Sequence, residues 1–341
     1  MVALDHVRCR ALGKFFKELR FPEAAKIDPP GDLSGPDLRM LYFIVVAICH
    51  QTSPIGKPRL AGMVNGRLLF GWDYLCASWL AAAKADPSIL TPGWLMFTQA
   101  SDIIYLLYDS HRHCGSHITD SEGRAKLLRD IGFRMYCDGV GHIDEYYKKA
   151  DGYLLDVWFS PSVHTPGLES LFSKFEAYGK DPVKKKLTYF LTLMNRYGFW
   201  RYRDIHHLGV PVDYHEVRLH LRLGTVKITD TALAAKVAAC TVLNAEEDVC
   251  IRSATHRAIV EISEFSGRMP ADIHNFFWNM ARNCCMRDKT HCAECGSHSA
   301  LPERYAGLLA EGRCVFANHC ASVSLAHSEK PKEPVVDTDF Y

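Results

Sequence analysis

A mainly α-helical fold is what this sequence predicts, and three features predict it. Apolar residues recur at helical spacing in segment after segment, as Leu12, Phe15, Phe16 and Leu19 do near the start. The segment DLRMLYFIVVAICHQTSP, from Asp37 to Pro54, has no polar face until His50, and a helix apolar all round belongs in the middle of a core. Strand signals are sparse. VNGRLLF at 64–70, turning at Asn65-Gly66, is one hairpin candidate.

The 341 residues, 48% of them hydrophobic, are enough for one large domain or two of ordinary size. No basic-then-apolar leader opens the chain, and the longest apolar run, Met40 to Cys49, is too short to span a bilayer. A soluble, cytoplasmic protein without a membrane partner is expected, and no protein partner is evident. The net charge of +1 says little, but from Lys180 to Lys227 ten Lys and Arg face four acids, which suits a phosphate-bearing partner.

Taken in order, the first helix runs from Met1 to Phe21 and stops at Pro22, ahead of a Pro-Pro-Gly loop at 29–31. The apolar helix follows and ends at Pro54. Between Gly71 and Arg134 come GWDYLCASWLAAAKADP, LMFTQASDIIYLLYDSH and SEGRAKLLRDIGFRMY, all with helical spacing. After a Gly-rich turn at 139–141, two helices flank a short turn at Gly179-Lys180-Asp181-Pro182. An extended Val-Pro-Val then runs into a helix beginning near Asp213, and three more helices deliver the chain to its cysteines. No linker separates two domains, so residues 1–326 read as a single unit. The tail 327–341 reads as disordered.

Asp213 begins its helix, and Glu216 three positions later completes the pattern of a capping box. A structural cap is one reading. The other is a carboxylate kept ionised at a helix N-terminus, able to stabilise an oxocarbenium-like sugar or to activate water. Lys180, Lys184, Lys185 and Lys186 cluster where a second helix opens, either as a solvated run or as an anion site. His50, Gln51 and Thr52 end the apolar helix. The tryptophans and tyrosines could stack an extruded base, though most aromatics in a helical protein are core.

Thirteen cysteines are present, and six fall between Cys284 and Cys320. Cys285, Cys292 and Cys295 are spaced by six and then two residues, and Cys314 and Cys320 by five. Such gathering in a reducing compartment points to a metal or an iron–sulfur cluster. Zinc on Cys292, Cys295, Cys314 and Cys320 is the competing assignment.

Together these elements resemble the helix-hairpin-helix superfamily of DNA glycosylases, in the iron–sulfur branch that contains endonuclease III and the adenine glycosylases. FIVVAICHQTSP is similar to that family's early buried helix and its Ser-Gln-Gln-Thr ending, with His50 in place of the first Gln. VPVDYHEVRLHLRLG is similar to its Val-Asp-Thr-His-Val segment, and WNMARNCCMRDKTHCAEC to its last helix and first three ligands. The resemblance implies a helix-hairpin-helix glycosylase-like helical fold with a C-terminal cluster loop at 284–320 and an enlarged insertion at 53–170. It places Asp213 on the catalytic aspartate, puts Gln51 beside the extruded base, and sets Lys180, Lys184, Lys185 and Arg218 against DNA. A 4Fe-4S cluster would be held by Cys285, Cys292, Cys295 and Cys320, with Cys314 as the alternative fourth ligand. Arg287, Lys289 and Arg313 would face the DNA backbone.

The chain departs from the family where Leu-Pro-Gly-Val-Gly is replaced by AYGKDPVKKK. No residue matches the Schiff-base lysine, so base excision without strand cleavage is expected. A second resemblance, to queuosine nucleotide glycosylases, rests on GWDYLCASWLAAA and VDYHEVR. The expected activity is therefore that of a monofunctional DNA glycosylase that leaves an abasic site, on a base such as a bulky phage-modified cytosine in antiviral defence. The alternatives are a queuosine 5'-monophosphate N-glycosylase and a non-catalytic, metal-stabilised DNA-binding protein.

Overall fold

The computed structural model describes residues 1–19, 33–107, 118–160, 162–295 and 312–340. The first helix's expected end at Phe21 and Pro22, the 29–31 loop and Cys114 lie outside these. The fold is mainly helical, with two-stranded sheets as its only other regular pairings among the described residues. Where the sequence suggested one unit to residue 326, the chain divides into two compact units. One joins Met1–Ala25 to Gly209–Asp337, and the other joins Lys26–Leu208 to Thr338–Tyr341. The chain crosses between them three times, after Ala25, Leu208 and Asp337, and only the first crossing is marked in the composition, by the Pro/Gly-rich stretch at 29–36 that follows it.

The larger unit is built around the helix Gly35–Ala47, and every residue from Met40 to Ala47 is buried. Ser34 caps its start by accepting from the Asp37 N–H at 3.2 Å, with Pro36 in the first turn, where a missing N–H costs nothing. Around Phe43 gather Tyr178 (ring centroids 4.8 Å, stacked), Phe172, Phe175 and Phe190. The Tyr178 hydroxyl also donates to the Phe43 carbonyl. At the helix's far end, Arg124 donates to the carbonyls of Ile48 and His50, and Lys186 donates to that of Ala47 at 2.6 Å. Two buried cations thus satisfy orphan carbonyls at the negative end of the dipole.

The hairpin expected at Asn65-Gly66 is present. Ala61–Val64 pairs antiparallel with Arg67–Phe70, and both turn residues have positive φ (49° and 75°), as a two-residue hairpin turn requires. The stretch 53–170 lies wholly in this unit and adds the helices Gly71–Ala85 and Ser121–Cys137 and a second hairpin, Val157–Ser160 with Val163–Thr165. The helices Glu176–Gly179 and Lys185–Arg196 flank the predicted turn. Gly179 is required there, because a Cβ would stand 1.9 Å from the Ser173 carbonyl oxygen.

In the other unit, Asp5 caps the helix His6–Glu18, accepting from the Arg8 N–H at 3.0 Å. That helix lies so close to Ala245–Ser266 that a Cβ on Gly13 would meet the Phe265 Cβ at 2.4 Å. Phe16, Phe276, Phe277 and Phe316 form the aromatic centre of its core. The strand Val2–Leu4 pairs with Val226–Ile228. Tyr214–Leu223 and Pro270–Asn283 are the helices that position the site.

The tail expected to be disordered from 327 is ordered through its described residues. Val335–Val336 forms a parallel pair with Val242–Leu243, and Lys330 and Glu333 are buried. Its polar composition hides this, because the tail is held by charge pairing and backbone hydrogen bonds instead of an apolar face. No helix among the described residues is long and apolar enough to cross a membrane.

Candidate functional site

The capping box read from the sequence is formed. The His215 N–H donates to Asp213 Oδ1 at 2.7 Å, and the Asp213 N–H donates to Glu216 Oε2 at 3.2 Å. Asp213 is buried, 8% exposed, at the positive end of the helix Tyr214–Leu223, which closes on left-handed Gly224 (φ 79°). Burial drives the His215 imidazole down to about 3, and Arg218, Arg282 and Arg287 push the same way against Asp213, so the ring is neutral at physiological pH. Burial likewise raises the Tyr214 phenol. Arg282 lies 4.4 Å from the Trp278 ring centroid, and Arg287 lies 5.5 Å from that of Tyr214. The arrangement is a nearly buried carboxylate among neutral aromatic and cationic side chains. It can stabilise positive charge developing on a sugar or orient a water.

Arg218 does not face outward as a DNA contact. It is 1% exposed and donates to the carbonyls of Cys285 (2.9 Å) and Ala281 (2.8 Å), lies 3.2 Å from His215 Nδ1, and ion-pairs with Glu333. One helical turn and a half after Asp213, its side chain points into the unit and ties the aspartate's helix to the cysteine segment. Glu333 also accepts from Arg287 Nε at 2.8 Å, so Arg287 too is engaged internally. Lys289 and Arg313 are exposed.

Arg222, on the same helix, reaches the cysteines. The thiols of Cys285, Cys292, Cys314 and Cys320 line one small cavity of about 20 Å³, walled by Leu219, Leu223, Met280, Phe316 and Val323. Cys295, expected as the third ligand, is instead fully buried in a disulfide with Cys284. Cys314, the alternative fourth ligand of the sequence reading, does line the cavity, and its N–H donates to the Cys292 carbonyl at 2.9 Å. Cys320 also lines the cavity, so Cys314 and Cys320 are both present where the sequence left a choice. Arg222 Nη1 lies 3.3 Å from the Cys285 sulfur, and Lys330 Nζ lies 3.3 Å from the Cys292 sulfur. Burial pushes the Cys314 thiol up to about 12 and raises that of Cys320. Among the described residues no three His, Cys, Asp or Glu side chains converge on a point that could hold a single metal ion.

No family model and no curated protein matches this chain.

Gln51 and the lysines expected to grip phosphate lie in the larger unit, and most are occupied within it. Gln51, itself at φ 47°, donates Nε2 to the Thr338 carbonyl at 3.0 Å. Lys180 pairs with Asp339 (3.3 Å) and Glu176 (3.6 Å), and Lys184 pairs with Glu169. Lys185 is buried, its ammonium 3.7 Å from the Cys49 sulfur and 5.2 Å from the Tyr189 ring centroid. Contrary to the expectation of a DNA-facing lysine, its charge is turned inward. Lys186 is also buried, and burial lowers its ammonium to about 7. The sequence carried a signal for this: Lys186 stands four and eight residues before the fully buried Phe190 and Met194, on one helical face. Arg124, with 0% exposure, and His50, with 1%, are the other buried polar residues at this helix end.

Proposed function

We propose that this chain is a monofunctional N-glycosylase acting on DNA, with Asp213 as its catalytic carboxylate. The observation that carries the reading is the position of Asp213, nearly buried, at a helix N-terminus, with its N–H bonds from the capping box already made. As the glycosidic bond breaks, positive charge grows on the sugar ring, and a pre-oriented carboxylate opposes that charge without reorganising. Water then adds to the anomeric carbon, its proton leaves with the base, and an abasic site remains. Neutral His215 and the aromatic rings of Tyr214 and Trp278 keep the surroundings weakly hydrated, which strengthens the carboxylate's effect. The base would be extruded from the stack to reach it. A bulky phage-modified cytosine is the substrate we favour, a choice that rests on the length of the 53–170 stretch beside the family the sequence resembles.

The four cavity-lining thiols fit an iron–sulfur cluster better than a single zinc ion. Each ligand of such a cluster binds its own iron, so the four sulfurs need not converge on one point, and here no three do. Cys285, Cys292, Cys314 and Cys320 would hold it. The cluster would supply structural cross-linking between the cysteine segment and the Asp213 helix, through Leu219, Arg222 and Leu223.

A second reading has one observation in its favour. With Lys185 and Lys186 buried and Lys180 and Lys184 ion-paired, little cation is left at the turn for a duplex backbone, which suits a nucleotide substrate such as queuosine 5'-monophosphate. Both readings are tested by one base-release experiment on unmodified, damaged and phage-modified DNA beside queuosine monophosphate, with Asp213→Asn as control. Full activity in that variant would sink the assignment of Asp213. Salt-sensitive DNA binding without release of any base would leave a non-catalytic DNA-binding protein.

A further inference from the structure

Lys330 is 5% exposed, and its ammonium has two partners among the described residues: the Cys292 sulfur at 3.3 Å and the Ser322 carbonyl at 2.7 Å. No carboxylate among the described residues meets it. A buried cation without an anion is costly to fold around, and a neutral thiol and a carbonyl do not offset that cost. A metal-bound thiolate at Cys292 does, because a tetrathiolate centre carries net negative charge into a cavity whose remaining walls are apolar apart from Arg222, which lies beside the Cys285 sulfur. Elsewhere the same C-terminal segment places its charge conventionally. Three residues on, Glu333 is buried against two arginines, Arg218 and Arg287. The Lys330 ammonium alone in this segment is aimed at sulfur.

We propose that Lys330 is the counter-cation of the thiolate centre at Cys292, so that the C-terminal segment helps to retain the bound metal and sets its charge. The proposal rests on the tetrathiolate reading of Cys285, Cys292, Cys314 and Cys320. Lys330 acts through Cys292 and is a positioning residue, not a ligand. An N–H···S bond from a cation withdraws charge from the sulfur, which favours the more negative, reduced form of a cluster and slows loss of the metal.

The test uses the full chain as wild type, Lys330→Met and Lys330→Arg. Iron, sulfide and zinc are counted per chain, metal loss to EDTA is timed, and for an iron-loaded protein the reduction potential is measured by optical titration. Lys330→Met should lose metal faster, by on the order of tenfold to a hundredfold, as outer-shell substitutions do. Its potential should move to more negative values. Lys330→Arg, which keeps the charge, should behave like wild type. Metal retention and potential unchanged in Lys330→Met would overturn the proposal, and so would equal losses in both variants, which would assign Lys330 to packing alone. Wild type that carries no metal after anaerobic purification would instead overturn the tetrathiolate reading on which it rests.

Discussion

Lys186 donates its ammonium to the Ala47 carbonyl at 2.6 Å, at the end of the most deeply buried helix in the larger unit. No carboxylate among the described residues is bonded to it; its other hydrogen-bond neighbour there is His50 Nδ1 at 3.3 Å. Burial brings its ammonium down to about 7, well below the lysine value of 10.5. The folded state therefore binds fewer protons than the unfolded chain between those two values. Lys186 costs stability below about pH 7, and the cost is relieved as pH rises toward the unfolded value, by up to about 1.4 kcal/mol per pH unit. Urea midpoints of wild type and Lys186→Met across this range should show wild type gaining on the variant as pH rises. A difference independent of pH would show that the charge at Lys186 is not the issue.

Glu333 belongs to the segment whose composition suggested disorder, yet it holds Arg218 and Arg287. Glu333→Ala should destabilise the Asp213 unit by about 3–5 kcal/mol, because it leaves Arg218 buried without its anion. Denaturant unfolding measures this directly. A loss below about 1 kcal/mol would mean that the segment contributes no more than a surface ion pair.

The capping role of Asp213 and its proposed catalytic role are separable. Asparagine caps helices as well as aspartate does, so Asp213→Asn should unfold within about 1 kcal/mol of wild type while losing base release by a factor of about a hundred or more. Asp213→Ala should lose activity and, in addition, about 1 kcal/mol of cap energy. Equal activity in wild type and the asparagine variant would leave Asp213 as a cap only.

The ligand set makes its own prediction. Cys314→Ala should lower bound metal sharply, whereas the double variant Cys284→Ala, Cys295→Ala should keep it, because those two sulfurs are bonded to each other, although Cys284 also lines the cavity. Metal per chain by elemental analysis decides it. The opposite pattern would restore Cys295 to the ligands.

Much of this was legible in the sequence, wherever the determining interactions were local. The run Met40 to Ala47 could only be a core helix, Asn65-Gly66 could only turn a hairpin, and Asp213 with Glu216 spelled out a capping box that the structure contains. Lysines 184 to 186 were less legible, since a charge run reads as solvated unless its helical face is compared with Phe190 and Met194. Arg218 gave no sign that it would be buried, because its partners, Ala281, Cys285 and Glu333, lie 63 to 115 residues away.

The sequence by itself determined the helical class, the helix that Asp213 caps, and the gathering of sulfur near the C-terminus, because each follows from contacts within a few residues. The tertiary structure decided which four free thiols share a cavity, which lysines turn inward, and that residues 327–337 belong to the Asp213 unit. Those outcomes depend on where a buried cation or sulfur finds its partner, and that partner comes from a segment remote in the chain.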